Sequence, residues 1–400
     1  MTHLPILFGY HASNLGNSHV PMCLAHHWNA KGRKSRLYVP SADDNQMESW
    51  LDVAMTGLQK KLVYRLGTRR APQNVTAKRF KLYEKNSPVV YLWAGLPLEV
   101  FRYFKDCGAK IILERINCPQ EMAKARIDAF RSEWGLAPSD AYPQERLDEE
   151  REKLELASMI FCPSPMVMLG LQQMGIAPEK LASTSYGWSP SRFKNSGIAM
   201  KPRRKRRFLF VGSLCVRKGI PLLLEAWKRA NPDAELVLVG MPDRELEPML
   251  AEAGECGSIK IHPYAKDISS FFRDGDVFVF PTLEEGGPLV TYEAMAHGMI
   301  PLVSPMGAGA IVQNGVNGLV MEKHDVEAWA QALDYLSEPS NSLSSMHQNA
   351  WWRAQAFTWE RVAEQRAQLI RDRFPEVWRP FSHLAWNLSQ NKSGYLGYSD

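Results

Sequence analysis

Short apolar runs alternate with amphipathic stretches along the second half of the chain. The runs with the length and composition of buried strands are FLFVG (208–212), ELVLVG (235–240), IKIH (259–262), DVFVFP (276–281), MIPLVS (299–304) and GLVM (318–321). Helical patterns such as LLLEAWKRA and VEAWAQALDYL separate them. This alternation predicts a doubly wound parallel sheet, which binds ligands at the carboxyl ends of its strands.

The first half repeats the alternation less cleanly, in PILFGY, SRLYVP, PVVYLW, AKIILE and MIFCPS. A chain of 400 residues with 45% hydrophobic composition is long enough for two domains, each with its own core. We therefore predict an α/β protein with two Rossmann-like doubly wound domains, 1–200 and 201–374. The tail 375–400 is rich in Trp, Tyr and Phe, so we expect it to pack. The stretch 193–207 reads as a linker, although its basic residues could also serve lipid or phosphate.

Composition excludes several classes of protein. The chain lacks a run of eighteen apolar residues, and its N-terminus lacks the order of a signal peptide, so we expect a cytoplasmic protein. The six cysteines are far apart and show no C-x-x-C spacing. Buried free thiols are therefore expected rather than disulfides or a zinc site.

The formal net charge of +5 is unevenly distributed. In the basic region 50–86, nine basic residues and one acidic residue lie between Thr56 and Asn86. The apolar residues that recur there at helical spacing are Trp50, Leu51, Ala54, Met55, Leu58, Leu62 and Leu66. This pattern indicates either an amphipathic helix on anionic lipid or a helix packed on its own domain. Since no nucleic-acid reader module accompanies the charge, we expect no nucleic-acid partner.

Two glutamates eight positions apart flank a glycine-rich turn in PTLEEGGPLVTYEAMAHG. Gly286–Pro288 predict the turn, and Leu289–His297 predict a helix that begins after proline. The start of such a helix offers free N–H groups to a diphosphate, while Glu285 and Glu293 can accept hydrogen bonds from sugar hydroxyls. Taken alone, two glutamates are more often solvated structural residues.

A basic loop precedes this segment in FVGSLCVRKGIPLLLEAW. Gly212 and Ser213 follow a predicted strand, and Arg217 and Lys218 precede a predicted helix. Two cations at such a loop can neutralise a leaving diphosphate, although an exposed charged turn is the alternative.

The glutamate segment resembles the signature of retaining glycosyltransferases of family 4 (glycosyl transferases group 1), E-G-F-G-L-P-x-x-E-A-M-A. The positions that match are Glu285, Gly286, Leu289, Glu293, Ala294, Met295 and Ala296. The chain departs from the pattern where Gly287 and Pro288 replace Phe-Gly and where Val290 replaces proline. The basic loop is similar to the family's G-R-L-x-x-x-K-G element, with Ser213 in place of arginine.

The resemblance implies a GT-B fold, in which two domains face a cleft and the end of the chain packs back on the first domain. It implies retaining, metal-independent transfer of a hexose-type sugar from a nucleoside diphosphate sugar to a glycan or lipid-linked acceptor. The composition of the basic region 50–86, rather than any motif, favours cell-surface polysaccharide or glycolipid assembly at the inner face of the membrane as the setting. Neither a cofactor nor a metal is expected.

The resemblance also assigns roles. Lys218, helped by Arg217 or Ser213, would stabilise the leaving diphosphate; Glu285 would bind sugar hydroxyls and Glu293 the ribose. The remaining donor-site candidates are Gly212, Gly286, Gly287, Pro288 and Leu289. Gly16 and Asn17 lie where the family's N-terminal glycine loop approaches the donor phosphate and the acceptor. Tyr264 is placed either to meet the nucleotide base or to pack within an aromatic loop.

Two further patterns are interpreted as structural. Asp274 and Asp276 have D-x-D spacing, but the second leads directly into a predicted buried strand. The histidines His19, His26 and His27 are expected on a helix surface, whereas His11 is a candidate near the active site. The sequence assigns no general base.

Three other functions stay open. A sugar-nucleotide epimerase or hydrolase would consume donor without an acceptor. A non-catalytic sugar-nucleotide-binding subunit would bind donor without consuming it. A basic membrane or nucleic-acid adaptor would show no activity.

Overall fold

The described part of the chain contains two parallel sheets, of seven and six strands. The computed structural model describes residues 3–13, 16–68, 70–193, 205–263, 265, 267–338 and 341–378. The sheets lie one after the other along the sequence, and helices connect their strands. The prediction of two Rossmann-like α/β sheets is confirmed.

The first sheet has the strand order β3-β2-β1-β4-β5-β6-β7. Its strands are β1 (Leu4–Leu7), β2 (Ser35–Val39), β3 (Leu51–Val53), β4 (Val89–Trp93), β5 (Lys110–Glu114), β6 (Met159–Cys162) and β7 (Leu181–Ser183). Its helices are α1 (His19–Ala30), α2 (Gly57–Leu66), α3 (Ala71–Glu84), α4 (Leu98–Asp106), α5 (Gln120–Glu133), α6 (Gln144–Leu156) and α7 (Pro165–Gln173). The strands β1, β4 and β6 are completely buried, as expected for a parallel sheet covered on both faces.

The second sheet has the equivalent order β10-β9-β8-β11-β12-β13. Its strands are β8 (Arg206–Val211), β9 (Ala234–Val239), β10 (Ile259–His262), β11 (Val277–Phe280), β12 (Ile300–Val303) and β13 (Leu319–Val320). The helices are α8 (Ile220–Ala230), α9 (Glu247–Glu255), α10 (Ser269–Asp274), α11 (Leu289–Ala296), α12 (Val326–Ser337), α13 (Asn341–Gln355) and α14 (Trp359–Arg373). The strand order reverses between β8 and β11, which creates the crevice where such sheets bind ligands.

The helix α14 returns to the first domain, although it lies within the range predicted for the second. Trp28 Nε1 in α1 donates to the carbonyl of Ala363 at 2.7 Å. Arg366 in α14 pairs with Glu114 at the end of β5 at 2.5 Å, and both side chains are buried. The start of the predicted tail follows this path, since Trp378 Nε1 donates to the carbonyl of Lys34 at 2.8 Å. Residues 379–400 and most of the predicted linker lie outside the described residues.

The basic region 50–86 differs from the predicted continuous helix. Its front forms the strand β3, because Leu51 pairs with Leu37 of β2 and the buried Asp52 binds Arg36 and Arg79. The prediction of a helix from Trp50 is therefore wrong, and the region instead contains β3, α2 and α3.

The helix α2, whose ten residues are all described, has no buried side chain. Its leucines Leu58, Leu62 and Leu66 are 86%, 59% and 75% exposed, so this stripe does not pack on the domain. The interpretation that the stripe covers its own core is wrong for α2. In contrast, α3 buries Phe80 and Ala77.

The described residues contain no helix long and apolar enough to cross a membrane. All six cysteines are free thiols. Cys118 and Cys162 are buried as expected, whereas Cys107 and Cys256 are exposed.

We predict that the Arg366–Glu114 pair supports the return of α14. Arg366→Ala leaves a buried carboxylate without its cation and should lower the free energy of unfolding by about 3–5 kcal/mol. Urea denaturation would measure the loss. The matched variant Arg371→Ala, on the same helix but partly exposed, should stay within about 0.5 kcal/mol of the parent. Equal midpoints for the parent and Arg366→Ala would contradict the prediction.

Candidate active site

The basic loop after β8 is held tightly against the end of β11. Val216–Lys218 form a single 3-10 turn, and Gly219 follows with a φ of 72°. A Cβ on Gly219 would lie 2.2 Å from the carbonyl oxygen of Pro281, so the left-handed turn and the close approach both require glycine. The turn therefore fixes Lys218 at the carboxyl end of β11.

The glycine-rich turn after β11 touches the first domain. A Cβ on Gly286 would lie 2.0 Å from the carbonyl oxygen of Ile116, and one on Gly287 would lie 2.6 Å from the ring of Tyr186. Pro288 then precedes α11, which begins at Leu289 as predicted. The turn is thus fitted between two loops of the first domain, and the N-terminus of α11 lies beside it.

Lys218 and Glu285 form an ion pair in this crevice. The ammonium also lies 5.2 Å from the centre of the Phe280 ring, and the residue is only 8% exposed. Burial lowers the pKa of Lys218 to about 7, and repulsion from Arg217 acts in the same direction. The charges of Glu284 and Cys215 oppose this lowering of the pKa. A buried cation and a carboxylate therefore meet in the crevice at the carboxyl end of β11.

Glu293 lies on α11 and is buried, with 4% exposure. Burial raises its pKa to about 7, and the nearby Arg192 opposes the shift. The Nη1 of Arg192 donates to Oε1 of Glu293 at 2.9 Å. The sequence reasoning missed Arg192, although it stands in KLASTSYGWSPSRF, the segment that closes the first domain.

Arg217 has a partner that was also missed. Its Nη1 donates to Oε2 of Glu284 at 3.0 Å, and Glu284 is 1% exposed. The only sequence feature that pointed to Glu284 as a partner was its position next to Glu285 in the glutamate segment. Lys218 is thus the cation that the structure brings to Glu285, while Arg217 turns toward the neighbouring carboxylate.

The other predicted residues are spread around the two domains. Gly212 follows β8, and Ser213 is exposed beside it. Gly16 starts the 3-10 turn Gly16–Ser18 before α1, and Asn17 lines a cavity in the first domain. Tyr264 lies outside the described residues, so its predicted contact with the base stays a prediction.

This cavity has a volume of about 1140 Å³. It lies beyond the carboxyl ends of β1, β4 and β5 and is bordered by α6. His11, the candidate near the active site, is among its lining residues. Arg217 and Glu284 contribute to it from the second domain, so the cavity adjoins the Lys218–Glu285 pair.

The remaining patterns have structural explanations. The expectation of a surface position is wrong for His19, which is 6% exposed because α1 packs beneath α14. Its Nε2 lies 3.0 Å from Oγ of Ser189, and burial lowers its pKa to about 4. Asp276 accepts a hydrogen bond from the backbone N–H of Arg207 at 2.8 Å. Among the described residues, no group of three His, Cys, Asp or Glu side chains could hold a metal ion.

Comparison with known proteins identifies the class to which this fold and crevice belong. Residues 205–338 match the model of the family described as glycosyl transferases group 1. This range contains Lys218, Glu285 and Glu293. The chain has a GT-B fold, and its residues 205–338 are similar to glycosyl transferases group 1, as the sequence resemblance implied.

Individual relatives agree with this class. A D-inositol 3-phosphate glycosyltransferase of Arthrobacter sp. (strain FB24) is 30% identical over 175 residues, 40% of this chain and 41% of the relative. HepE of Anabaena, solved in complex with UDP and glucose, is 15% identical with a TM-score of 0.64, covering 92% of this chain and 100% of that chain. WaaG, a glycosyltransferase involved in lipopolysaccharide biosynthesis, is 16% identical with a TM-score of 0.66. The match covers 92% of this chain and 99% of the WaaG chain. The first curated relatives are matched over less than two thirds of their length, as the share of 41% illustrates.

We predict that the burial of Glu293 makes stability depend on pH. Between about pH 4.5 and pH 7 the unfolded chain ionises Glu293 while the folded chain keeps it protonated, so its contribution to stability falls as pH rises. Glu293→Gln removes this loss. Its free energy of unfolding should exceed that of the parent by about 3 kcal/mol above pH 7 and should equal that of the parent, in this contribution, below pH 4.5.

Thermal unfolding of both proteins at the two pH extremes would measure this difference. Because only the difference between parent and variant is compared, other titrating groups such as His19 cancel. A difference in stability that does not change with pH would show that Glu293 is not held in its protonated form.

Proposed function

We propose that this protein transfers a hexose-type sugar from a nucleoside diphosphate sugar to a glycan or lipid-linked acceptor, with retention of configuration and without a metal. The contact between Lys218 and Glu285, beside the N-terminus of α11, carries the proposal. The match to glycosyl transferases group 1 over this range supports it, as does the UDP and glucose complex of HepE. We take 1–200 as the acceptor domain and 201–374 as the donor domain, with α14 returning to the first.

The main chemical demand of the reaction is to stabilise the negative charge of the departing diphosphate. Lys218 is buried, so its charge acts with little screening by water. The free N–H groups at the start of α11 add a second source of positive potential. We infer that the diphosphate takes the place of Glu285 on the ammonium, which leaves that carboxylate free to accept hydrogen bonds from the sugar.

The reaction can be written without a protein nucleophile. The bond between the anomeric carbon and the phosphate oxygen breaks, and the acceptor hydroxyl oxygen bonds to the same carbon on the same face. The proton of that hydroxyl passes to the leaving phosphate oxygen. Glu293 binds the ribose and holds the nucleotide while this exchange takes place.

The exposed stripe of α2 supports a setting on the inner face of the cell membrane. Leu58, Leu62 and Leu66 recur every fourth residue on one face, and Lys61 and Arg65 flank them. Apolar side chains beside cations suit the interface of an anionic bilayer. Tyr64 of the same helix lines the cavity of the first domain, so an acceptor held in the bilayer would have a short path to that cavity.

We predict that Lys218→Ala and Glu293→Gln each lower the rate of sugar transfer by about a hundredfold or more while the protein stays folded. Transfer from UDP-, GDP- and ADP-sugars would be measured with and without added glycan acceptors. Lys228→Ala, an exposed lysine of α8, is the matched control and should be fully active.

Full activity of Lys218→Ala would contradict the proposal. Complete turnover of donor without any acceptor would instead indicate an epimerase or hydrolase. Binding of donor without turnover would indicate a non-catalytic subunit.

We predict that Leu58→Ser combined with Leu62→Ser weakens binding to vesicles that contain anionic lipid by more than about tenfold, because each leucine loses its burial in the bilayer. Sedimentation with vesicles of phosphatidylcholine, with and without phosphatidylglycerol, would measure the effect. Leu169→Ser, an exposed leucine of α7, is the control. Equal binding of the double variant and its parent would exclude α2 as the contact.

A further inference from the structure

The ring of Tyr186 fills the space beside Gly287. Apart from the adjacent residues, the three atoms nearest to a Cβ at position 287 are all ring carbons of Tyr186, at 2.6, 3.1 and 3.1 Å. Tyr186 is buried and belongs to the first domain, whereas Gly287 lies in the glycine-rich turn of the second. An aromatic ring of one domain is therefore packed directly on the backbone of the turn that follows Glu285.

Polar contacts fix the position of this ring. The hydroxyl of Tyr186 donates to Oε1 of Glu114 at 3.0 Å, and the Nη1 of Arg366 donates to Oε2 of the same carboxylate at 2.5 Å. The guanidinium carbon of Arg366 also lies 5.4 Å from the centre of the Tyr186 ring. Because all three side chains are buried and bonded to one another, the ring is held at its hydroxyl and over its face.

The backbone that carries Tyr186 is joined to the start of α14. The N–H of Trp188 donates to the carbonyl of Phe357 at 3.0 Å, and the N–H of Trp359 donates to the carbonyl of Trp188 at 3.1 Å. The ring of Trp359 lies 6.0 Å from that of Tyr186, measured between centroids. Trp359 and Arg366 both belong to α14, so this helix supports Tyr186 through the backbone and through the ring.

The glycine-rich turn needs such support because it has few side chains of its own. The family pattern E-G-F-G has an aromatic residue at the position of Gly287, and this chain has none there. Two consecutive glycines have the largest conformational freedom of any pair of residues. A displacement of about 1 Å at a reacting group can cost about a hundredfold in rate. The positions of Glu285 and of the first N–H groups of α11 therefore depend on what packs against Gly287.

We propose that Tyr186 is a positioning residue for the site of the donor. Its ring holds Gly287, and with it Glu285 and the N-terminus of α11, in the geometry that binds the diphosphate sugar. Tyr186 acts through the turn and not by contact with the donor. The inference rests on the proposed function for the identity of the ligand, whereas the contact between ring and turn does not depend on it.

Hydrogen exchange of the full-length chain without any ligand, followed by mass spectrometry, tests whether the ring holds the turn. Tyr186→Leu removes the ring, so the backbone amides of 284–291 should exchange faster by about tenfold or more. Tyr186→Phe keeps the ring and should stay within about threefold of the parent. Equal exchange in the parent and in Tyr186→Leu would overturn the proposal.

Tyr91→Leu is the matched control. The hydroxyl of Tyr91 donates to the other oxygen of Glu114, and Tyr91 is as deeply buried as Tyr186, but it lies on β4. Both leucine variants remove one hydrogen-bond donor from Glu114, and only Tyr186→Leu removes the contact with Gly287. Exchange of 284–291 should be unchanged in Tyr91→Leu. Equally fast exchange in both variants would show a general loss of stability and would also count against the proposal.

A double-mutant cycle tests whether the contact matters for the ligand. Gly287→Ala places a methyl group against the ring. Isothermal titration calorimetry with UDP, GDP and ADP would identify the nucleotide that the parent binds most tightly. Gly287→Ala and Tyr186→Leu should each weaken its binding by about tenfold or more. Their combination should weaken it by clearly less than the product of the two effects, because leucine leaves room for the methyl group.

The two proposals fail separately. Effects that multiply in the double variant, or unchanged nucleotide binding by Tyr186→Leu, would overturn the role of Tyr186 and leave the proposed function intact. A parent that binds none of the three nucleotides would contradict the proposed function, while the exchange measurement would still decide whether Tyr186 holds the turn.

Discussion

The close approach of Gly286 and Gly287 to the first domain is the constraint on which the site depends. A side chain at either position would collide with Ile116 or Tyr186, so only a bare backbone lets the turn lie between the two domains. This turn also fixes the position of Glu285, which forms an ion pair with Lys218. It fixes the start of α11 as well, and α11 carries Glu293. Where the family pattern has Phe-Gly, this chain has Gly287 and Pro288, and the ring of Tyr186 lies against the space that a side chain at 287 would need.

A single continuous path joins the inferred parts of the reaction. The exposed leucines of α2 lie on the same helix as Tyr64, and Tyr64 borders the cavity of the first domain. The far wall of that cavity is Arg217 with Glu284, directly beside the Lys218–Glu285 pair in the sequence. In the proposed function, the bilayer, the acceptor site and the donor site therefore follow one another across the protein.

The sequence pattern correctly predicted the strands and helix starts that depend on neighbouring residues in the chain. All six strands of the second sheet and the helix start at Leu289 agree with the structure, because short apolar runs between helical patterns and a proline determine them. The three-residue edge strands β3 and β7 were missed, since so short a run carries no period. The partners of the glutamates were also missed: Arg192 lies about a hundred positions from Glu293, and only the packing of the two domains brings them together.

A crystal structure with a bound UDP-sugar tests the central claim most directly. We expect the diphosphate within hydrogen-bond distance of Nζ of Lys218 and the N-terminus of α11, the sugar hydroxyls on Glu285, and the ribose on Glu293. The Lys218–Glu285 ion pair should be broken or shared with the ligand. A nucleotide bound away from this crevice, with that pair intact, would contradict the account.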